Sequence, residues 1–250
     1  STGDTTQTIY ASSSGNYSVT VGNGTSVSNS NSLSFDGQDD YVILPSLIPG
    51  ALNLGSSSTL LVHYKGFGCV FAASKTSAPV YPIMFRVEVN DLGSGQCDIK
   101  TYNRSDNNSI NFEPTTSAFS YDGTTWSTLA IVINNNTGNY ILYNNGIKLL
   151  DYSFTPSSFT NSMEWRIGDL VYNGGGSNNF NGLIDNISIW NSALDSAQIH
   201  NYFTFPLTGN ENNLYAFWNF NEGSGSTVTD LSGNGNNGTI NGATWSTDAP

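Results

Sequence analysis

Gly182-Leu183-Ile184-Asp185-Asn186-Ile187-Ser188-Ile189-Trp190 reads as a strand, and Asn191-Ser192-Ala193-Leu194-Asp195-Ser196-Ala197-Gln198-Ile199 follows it at once. Leu183, Asp185, Ile187 and Ile189 share one parity and Ile184, Asn186, Ser188 and Trp190 the other, so one face is apolar apart from a single carboxylate. An aspartate among aliphatic side chains is costly unless it is paired, hydrogen-bonded or bound to a cation. The strand runs into a short helix near 193–203, in which Asp195 can cap the first turn while Gln198, three residues on, reaches back.

Outward from this stretch the chain reads as strands joined by turns. Phe35 leads into the turn Asp36-Gly37-Gln38-Asp39-Asp40, after which Tyr41 to Leu44 resumes the apolar pattern. Four strands follow near 59–65, 69–73, 83–90 and 96–103; their alternation turns Phe85, Val87, Val89 and Ile99 inward and Arg86, Glu88, Lys100 and Tyr102 outward. A second meander spans Trp126 to Tyr152, with the hairpin signal Asn145-Gly146 inside it. Met163 to Leu170 is another strand, and the glycine-rich run Tyr172 to Phe180 is a loop at the rim.

Composition narrows the function. Only 10% of the 250 residues are charged, aromatics reach 12%, and the net charge is -12, which argues against nucleic acid or an anionic membrane surface as the partner. No apolar run is long enough to span a bilayer, and the first residues carry neither a signal peptide nor an anchor, so the chain reads as a piece of something longer. Cys69 and Cys97 are either a disulfide or two buried free thiols; as first and third strands of a meander they stand about two strand spacings apart, which disfavours the bridge.

Four segments together resemble laminin-G-like domains of the concanavalin A-like lectin/glucanase superfamily: LSFDGQDDYVILP (33–45), GNYILYNNGIKLL (138–150), GLIDNISIWNSALDSAQI (182–199) and AFWNFNEGSGSTVTDLSGNGNNGTINGATW (216–245). The resemblance implies an all-β, two-sheet antiparallel jelly-roll sandwich with the one short helix, of the kind found in large secreted bacterial surface proteins. This fold carries lectins, hydrolases, lyases and adhesion modules alike, so function has to come from a site. In many relatives the segment resembling 214–225 precedes the FDG strand, whereas here it comes last; residues 33–250 are expected to form the domain, with 214–245 completing its sheets. Residues 1–32, with the strand-like run Asn16 to Val21, resemble the end of an immunoglobulin-like module, either a linker or a strand docked on the sandwich.

Two constellations invite chemistry. The resemblance implies a structural calcium held by an aspartate of the last strand and by oxygens near the first; Asp185 is that aspartate here, with Glu222, Asp230 and Asp36 as further carboxylates, although Asp185 satisfied by backbone amides and a solvated turn at Asp36 are the plainer alternatives. Five of the seven basic residues lie between 65 and 104, and His63, Lys65, Arg86, Glu88, Lys100 and Tyr102 could line one outer sheet face that receives a polysaccharide or surface glycan, an anionic one included. Scattered solubilising charges are the competing reading. Catalysis finds little support: glycosidases need two carboxyl groups about 5–10 Å apart, and the nearest match to the family's strand of alternating acids, Glu88-Val89-Asn90-Asp91, lacks the second glutamate. The expectation is a non-catalytic carbohydrate-binding or cell-adhesion module, monomeric within a multidomain secreted or cell-surface chain, with a structural spacer and a polysaccharide hydrolase or lyase as alternatives.

Overall fold

The computed structural model describes residues 29–45, 57–75, 83–104, 110–155, 163–169 and 178–250. The strand expected at Asn16 to Val21 and most of the glycine-rich loop after Tyr172 lie outside these. In chain order the described elements are β1 (Ser32–Asp36), β2 (Tyr41–Leu44), β3 (Ser58–Lys75), β4 (Ile83–Gly93), β5 (Gln96–Arg104), β6 (Ile110–Phe112), β7 (Phe119–Ser120), β8 (Ser127–Asn134), β9 (Asn139–Asn144), β10 (Ile147–Ser153), β11 (Met163–Ile167), β12 (Asn181–Trp190), α1 (Ser196–Thr204), β13 (Leu214–Trp218), β14 (Thr227–Val228), β15 (Gly238–Asn241) and β16 (Thr244–Ser246).

The strands form two antiparallel sheets that share β3. The first runs β10-β9-β8-β3-β12, after which β1 lines the N-terminal half of β12 and β13 its C-terminal half, with β16 outside β1. The second runs β14-β15-β2-β11-β3-β4-β5, with β6 and β7 on the far side of β5. The last strands thus pair with the first: β16 with β1, and β15 with β2. The inward positions of both sheets make one core, including Leu60, Val62 and Tyr64 from the first sheet and Phe85, Val87 and Trp165 from the second.

Two sequence expectations fail here for identifiable reasons. Residues 59–65 and 69–73 are not separate strands; β3 continues through Gly66-Phe67-Gly68 and turns a corner from one sheet into the other. Gly66 has φ +128°, and a Cβ there would stand 2.1 Å from the Asn181 carbonyl oxygen, so the corner requires glycine rather than a break. The second failure is the parity of β12. The register against β3 shifts between Asp185 and Ser188, and Asn186 sits at φ +46°, which marks a bulge. Ile184, Ile187 and Ile189 all enter the core, while Asp185 leaves the aliphatic row on which strict alternation placed it.

The outer face of the first sheet is covered by α1. Asp195 caps it through Gln198 N–H, and the Gln198 side chain accepts from the Asp195 N–H, so the capping box forms as read. Ile199 packs with Leu61, Val132, Trp190 and Phe217 in a second apolar cluster. Trp190 and Tyr202 stack with centroids 4.3 Å apart. At Asn145-Gly146 both residues have positive φ, 47° and 75°, as a two-residue hairpin between β9 and β10 demands. Cys69 and Cys97 are free and buried; Cys97 belongs to the core, whereas Cys69 packs with Ala72 apart from it. Among the described residues no helix is long and apolar enough to cross a membrane.

Candidate functional site

The structure divides the six expected glycan contacts between the two sheets. Arg86, Glu88, Lys100 and Tyr102 come together on the outer face of the second sheet, where Arg86 pairs with Tyr102 and Glu88 with Lys100 across β4 and β5. The Arg86 guanidinium lies 5.0 Å from the Tyr102 ring centroid and 3.3 Å from Glu88 Oε1. This is no open platform: Tyr102 is 6% exposed and Glu88 3%. Lys100 is held by Glu113. An equivalent cluster went unread in the sequence. Arg166 sits 3.9 Å over the Tyr41 ring and pairs with Glu164 and Asp169, and burial of the guanidinium is outweighed by these two carboxylates, which raise its pKa. Both arginines neighbour Ala72 across the ladder.

His63 and Lys65 belong to the first sheet instead. Lys65 forms an ion pair with Asp248 at 2.7 Å. His63 stands directly opposite Asp185 on the neighbouring strand. Burial lowers its pKa to about 4, against a hydrogen bond to the Asn186 backbone, so the imidazole is neutral at ordinary pH. Phe203 packs edge-on to it at 5.2 Å.

Asp185 is fully buried. It accepts from Asn29 Nδ2 and, at 2.7 Å, from its neighbour's backbone N–H. Desolvation outweighs both bonds and lifts its pKa to about 7. Beside it, Asn29 Oδ1 and His63 Nδ1 are buried without a hydrogen-bond partner among the described residues. The Asp185 carboxylate and Asn29 Oδ1 bring two oxygens together that a cation could use, against the roughly six to eight that calcium takes.

The other expected calcium ligands do not join this cluster. Asp230 commits both oxygens to a loop of its own: Oδ1 accepts from Phe217 N, Ser232 N and Ser232 Oγ, and Oδ2 from Asn236 N and Nδ2. Despite burial, these bonds pull its pKa down. Glu222 accepts from the Thr229 N–H. Asp36 pairs with Asn181, four residues along β12 from Asp185 and so about 13 Å away. It closes its own turn, accepting from Gln38 N while Asp40 accepts from Asp36 N, and its carboxylate approaches those of Asp39 and Asp40.

A pocket of about 550 Å³ opens on the outer face of the first sheet above His63. Its lining includes Phe203, Phe205 and Pro206, where α1 ends, and the asparagines Asn186, Asn219 and Asn221. The Phe205 backbone N–H donates to Asn201 O, 2.9 Å, which fixes its position at the helix end. Its ring is 51% exposed, and Leu231, also on the pocket, is 41% exposed. The volume falls within the range of about 300–1,000 Å³ usual for small-ligand sites. Sequence reasoning missed this pocket; the one signal for it was an unusual exposed aromatic-proline pair, Phe205-Pro206, just past a capped helix.

Comparison with known proteins bears on the fold. The laminin G-like family profile described as the concanavalin A-like lectin/glucanases superfamily matches residues 36–200. No curated protein matches by sequence. A candidate carbohydrate-binding protein of Bacteroides ovatus superposes with a TM-score of 0.60 at 16% identity, over 88% of this chain and 61% of that one. The CBM40 of Ruminococcus gnavus IT-sialidase, also solved with α2,3-sialyllactose, gives 0.52 at 15% identity, over 69% of this chain and 97% of its own. The NanB sialidase of Streptococcus pneumoniae gives 0.54 at 23% identity, over 72% of this chain and 28% of that enzyme.

Proposed function

The chain belongs to the concanavalin A-like lectin/glucanase superfamily, and within it we propose that this is a non-catalytic carbohydrate-binding module whose ligand enters the pocket between the end of α1 and the first sheet. The observation that carries the reading is a pocket lined together by Phe203, Phe205 and Pro206 and by the three asparagines Asn186, Asn219 and Asn221. Aromatic rings receive the C–H face of a sugar and amides its hydroxyls, the usual division of labour in a small polar-ligand site. The neighbours described as carbohydrate-binding support the ligand class at the level of the fold.

Absence of catalysis fits the same geometry. Glu88, the nearest match to a family acid, is buried against Arg86, and Asn90 bonds Asp98 across the ladder at 2.7 Å. A calcium ion belongs to the proposal as a structural element. Asp185 and Asn29 would hold it, with an amide rotation bringing Asn29 Oδ1 toward the carboxylate, and its charge would offset the desolvation of Asp185. The ion is proposed there because Asp230 and Glu222 accept from their own loop and Asp36 sits with Asp39 and Asp40. Such a module serves a larger secreted or cell-surface protein by adhesion to glycan.

Affinity electrophoresis of the chain through gels containing neutral, sulfated or uronic polysaccharides tests the reading. Retardation by at least one polymer, without shortening of it, is expected. Free migration in every gel, or depolymerisation, would overturn it.

A further inference from the structure

Resting on the pocket as the glycan site, we infer that it is selective for an uncharged pyranose, packed by its C–H face on Phe205 and held by the amides of Asn186, Asn219 and Asn221. The chain carries seven lysines and arginines at a net charge of -12. Five of the seven have described side chains, and every one is in an ion pair: Lys65 with Asp248, Arg86 with Glu88, Lys100 with Glu113, Lys148 with Asp151, and Arg166 with Glu164 and Asp169. None of the five lines the pocket, and no Asp or Glu is among its described lining residues. Apart from the calcium proposed at Asp185 and Asn29, whose charge answers that buried carboxylate, a carboxylated or sulfated sugar would give up hydration there with no lysine or arginine to replace it.

What the pocket offers is neutral and still uncommitted. Asn219 Oδ1 accepts from the Asn221 N–H at 3.2 Å, and Asn221 Oδ1 accepts from the Ser30 N–H at 2.9 Å, which leaves both Nδ2 groups without an acceptor among the described residues. The Asn186 side chain, aimed by the left-handed bulge conformation of its residue, makes no hydrogen bond among the described residues and keeps both donor and acceptor. Sugar hydroxyls donate and accept, so two donors and a full amide match vicinal hydroxyls, whereas an acceptor-only carboxylate would use the Nδ2 donors alone and leave the Asn186 oxygen unmatched. Among the same lining residues Phe203 packs edge-on against His63, and Phe205, its backbone bonded to Asn201 at the helix end, leaves half its surface open to a ligand.

The test is saturation-transfer NMR and calorimetry on the full chain with methyl β-galactoside, methyl α-mannoside and N-acetylglucosamine, against N-acetylneuraminic acid and glucuronic acid. Binding of at least one neutral sugar, weakened about tenfold by Phe205→Ala and unchanged by Arg86→Ala, is the expected result. Phe205 is half exposed, so its truncation leaves the core intact. Preference for an acidic sugar with the same Phe205 dependence would overturn the inference and leave the pocket standing as the glycan site. Binding indifferent to Phe205→Ala, or none to any sugar, would overturn both.

Discussion

Removing the charge of Asp185 should change stability in a way that depends on both pH and calcium. Its carboxyl is buried, with a pKa lifted from 3.8 to about 7. A folded-state pKa above the unfolded one means that the native state holds the proton more tightly. The stability contributed by that protonated acid is fully present below about pH 4 and is lost as pH rises through about 7. From about pH 5 to about pH 8 the loss amounts to roughly 2.5 kcal/mol at one site, on the order of 5–10 °C in melting temperature for a chain of this size. The D185N protein has no such charge, and its carboxamide can donate to the unpartnered Asn29 Oδ1. Denaturant melts of both proteins in chelator isolate the effect, because titrations away from Asp185 cancel in their difference and His63, opposite it, stays neutral in the folded protein across that range. The D185N protein should gain on the wild type by about 2.5 kcal/mol between those pH values. Calcium in excess at about pH 8 should reverse the order, since only the wild type offers the ion a carboxylate. A difference that stays flat with pH would refute the buried-charge argument, and an order that calcium does not reverse would refute the ion.

Arg86→Leu should cost about 3 kcal/mol by leaving Glu88 buried without its cation, while polysaccharide retardation stays that of the wild type; a loss of retardation in a folded variant would move the site to the second sheet. Gly66→Ala should cost at least about 3 kcal/mol or prevent folding, because the new methyl meets the Asn181 carbonyl at a φ that only glycine tolerates; near-wild-type melting would mean the corner is not built as described. Native protein should expose no thiol to Ellman's reagent and release two in denaturant, since burial pushes Cys97 up to about 12 and Cys69 well above its usual range; fewer than two thiols after unfolding without reductant would show a disulfide.

The fold was legible because its signals are local. Alternation placed Phe85, Val87, Val89 and Ile99 in the core correctly, the Asp195–Gln198 box marked the helix start, and Asn145-Gly146 marked a hairpin. The failures came where backbone departs from period two. The bulge at Asn186 and the glycine corner at 66–68 both look like ordinary sequence, and only the ladder reveals the shift. The candidate site was harder still. Arg86, Glu88, Lys100 and Tyr102 share a face as alternation said, but pairing buries them, and facing direction says nothing of what a side chain then touches. His63 and Lys65 precede the corner in β3 and so fall on the other sheet. The pocket draws on residues 29, 63, 186, 203–206, 219, 221 and 231, which meet only after both sheets and the helix have assembled.

The glycan is expected in the pocket beside α1 and not on the second sheet. A crystal structure of the full chain with an oligosaccharide cut from a retarding polymer tests it most directly. Sugar density against Phe205, within hydrogen-bond reach of Asn219 and Asn221, is the predicted result. Density over Arg86 and Arg166 on the second sheet, with the pocket by α1 holding none, would contradict it.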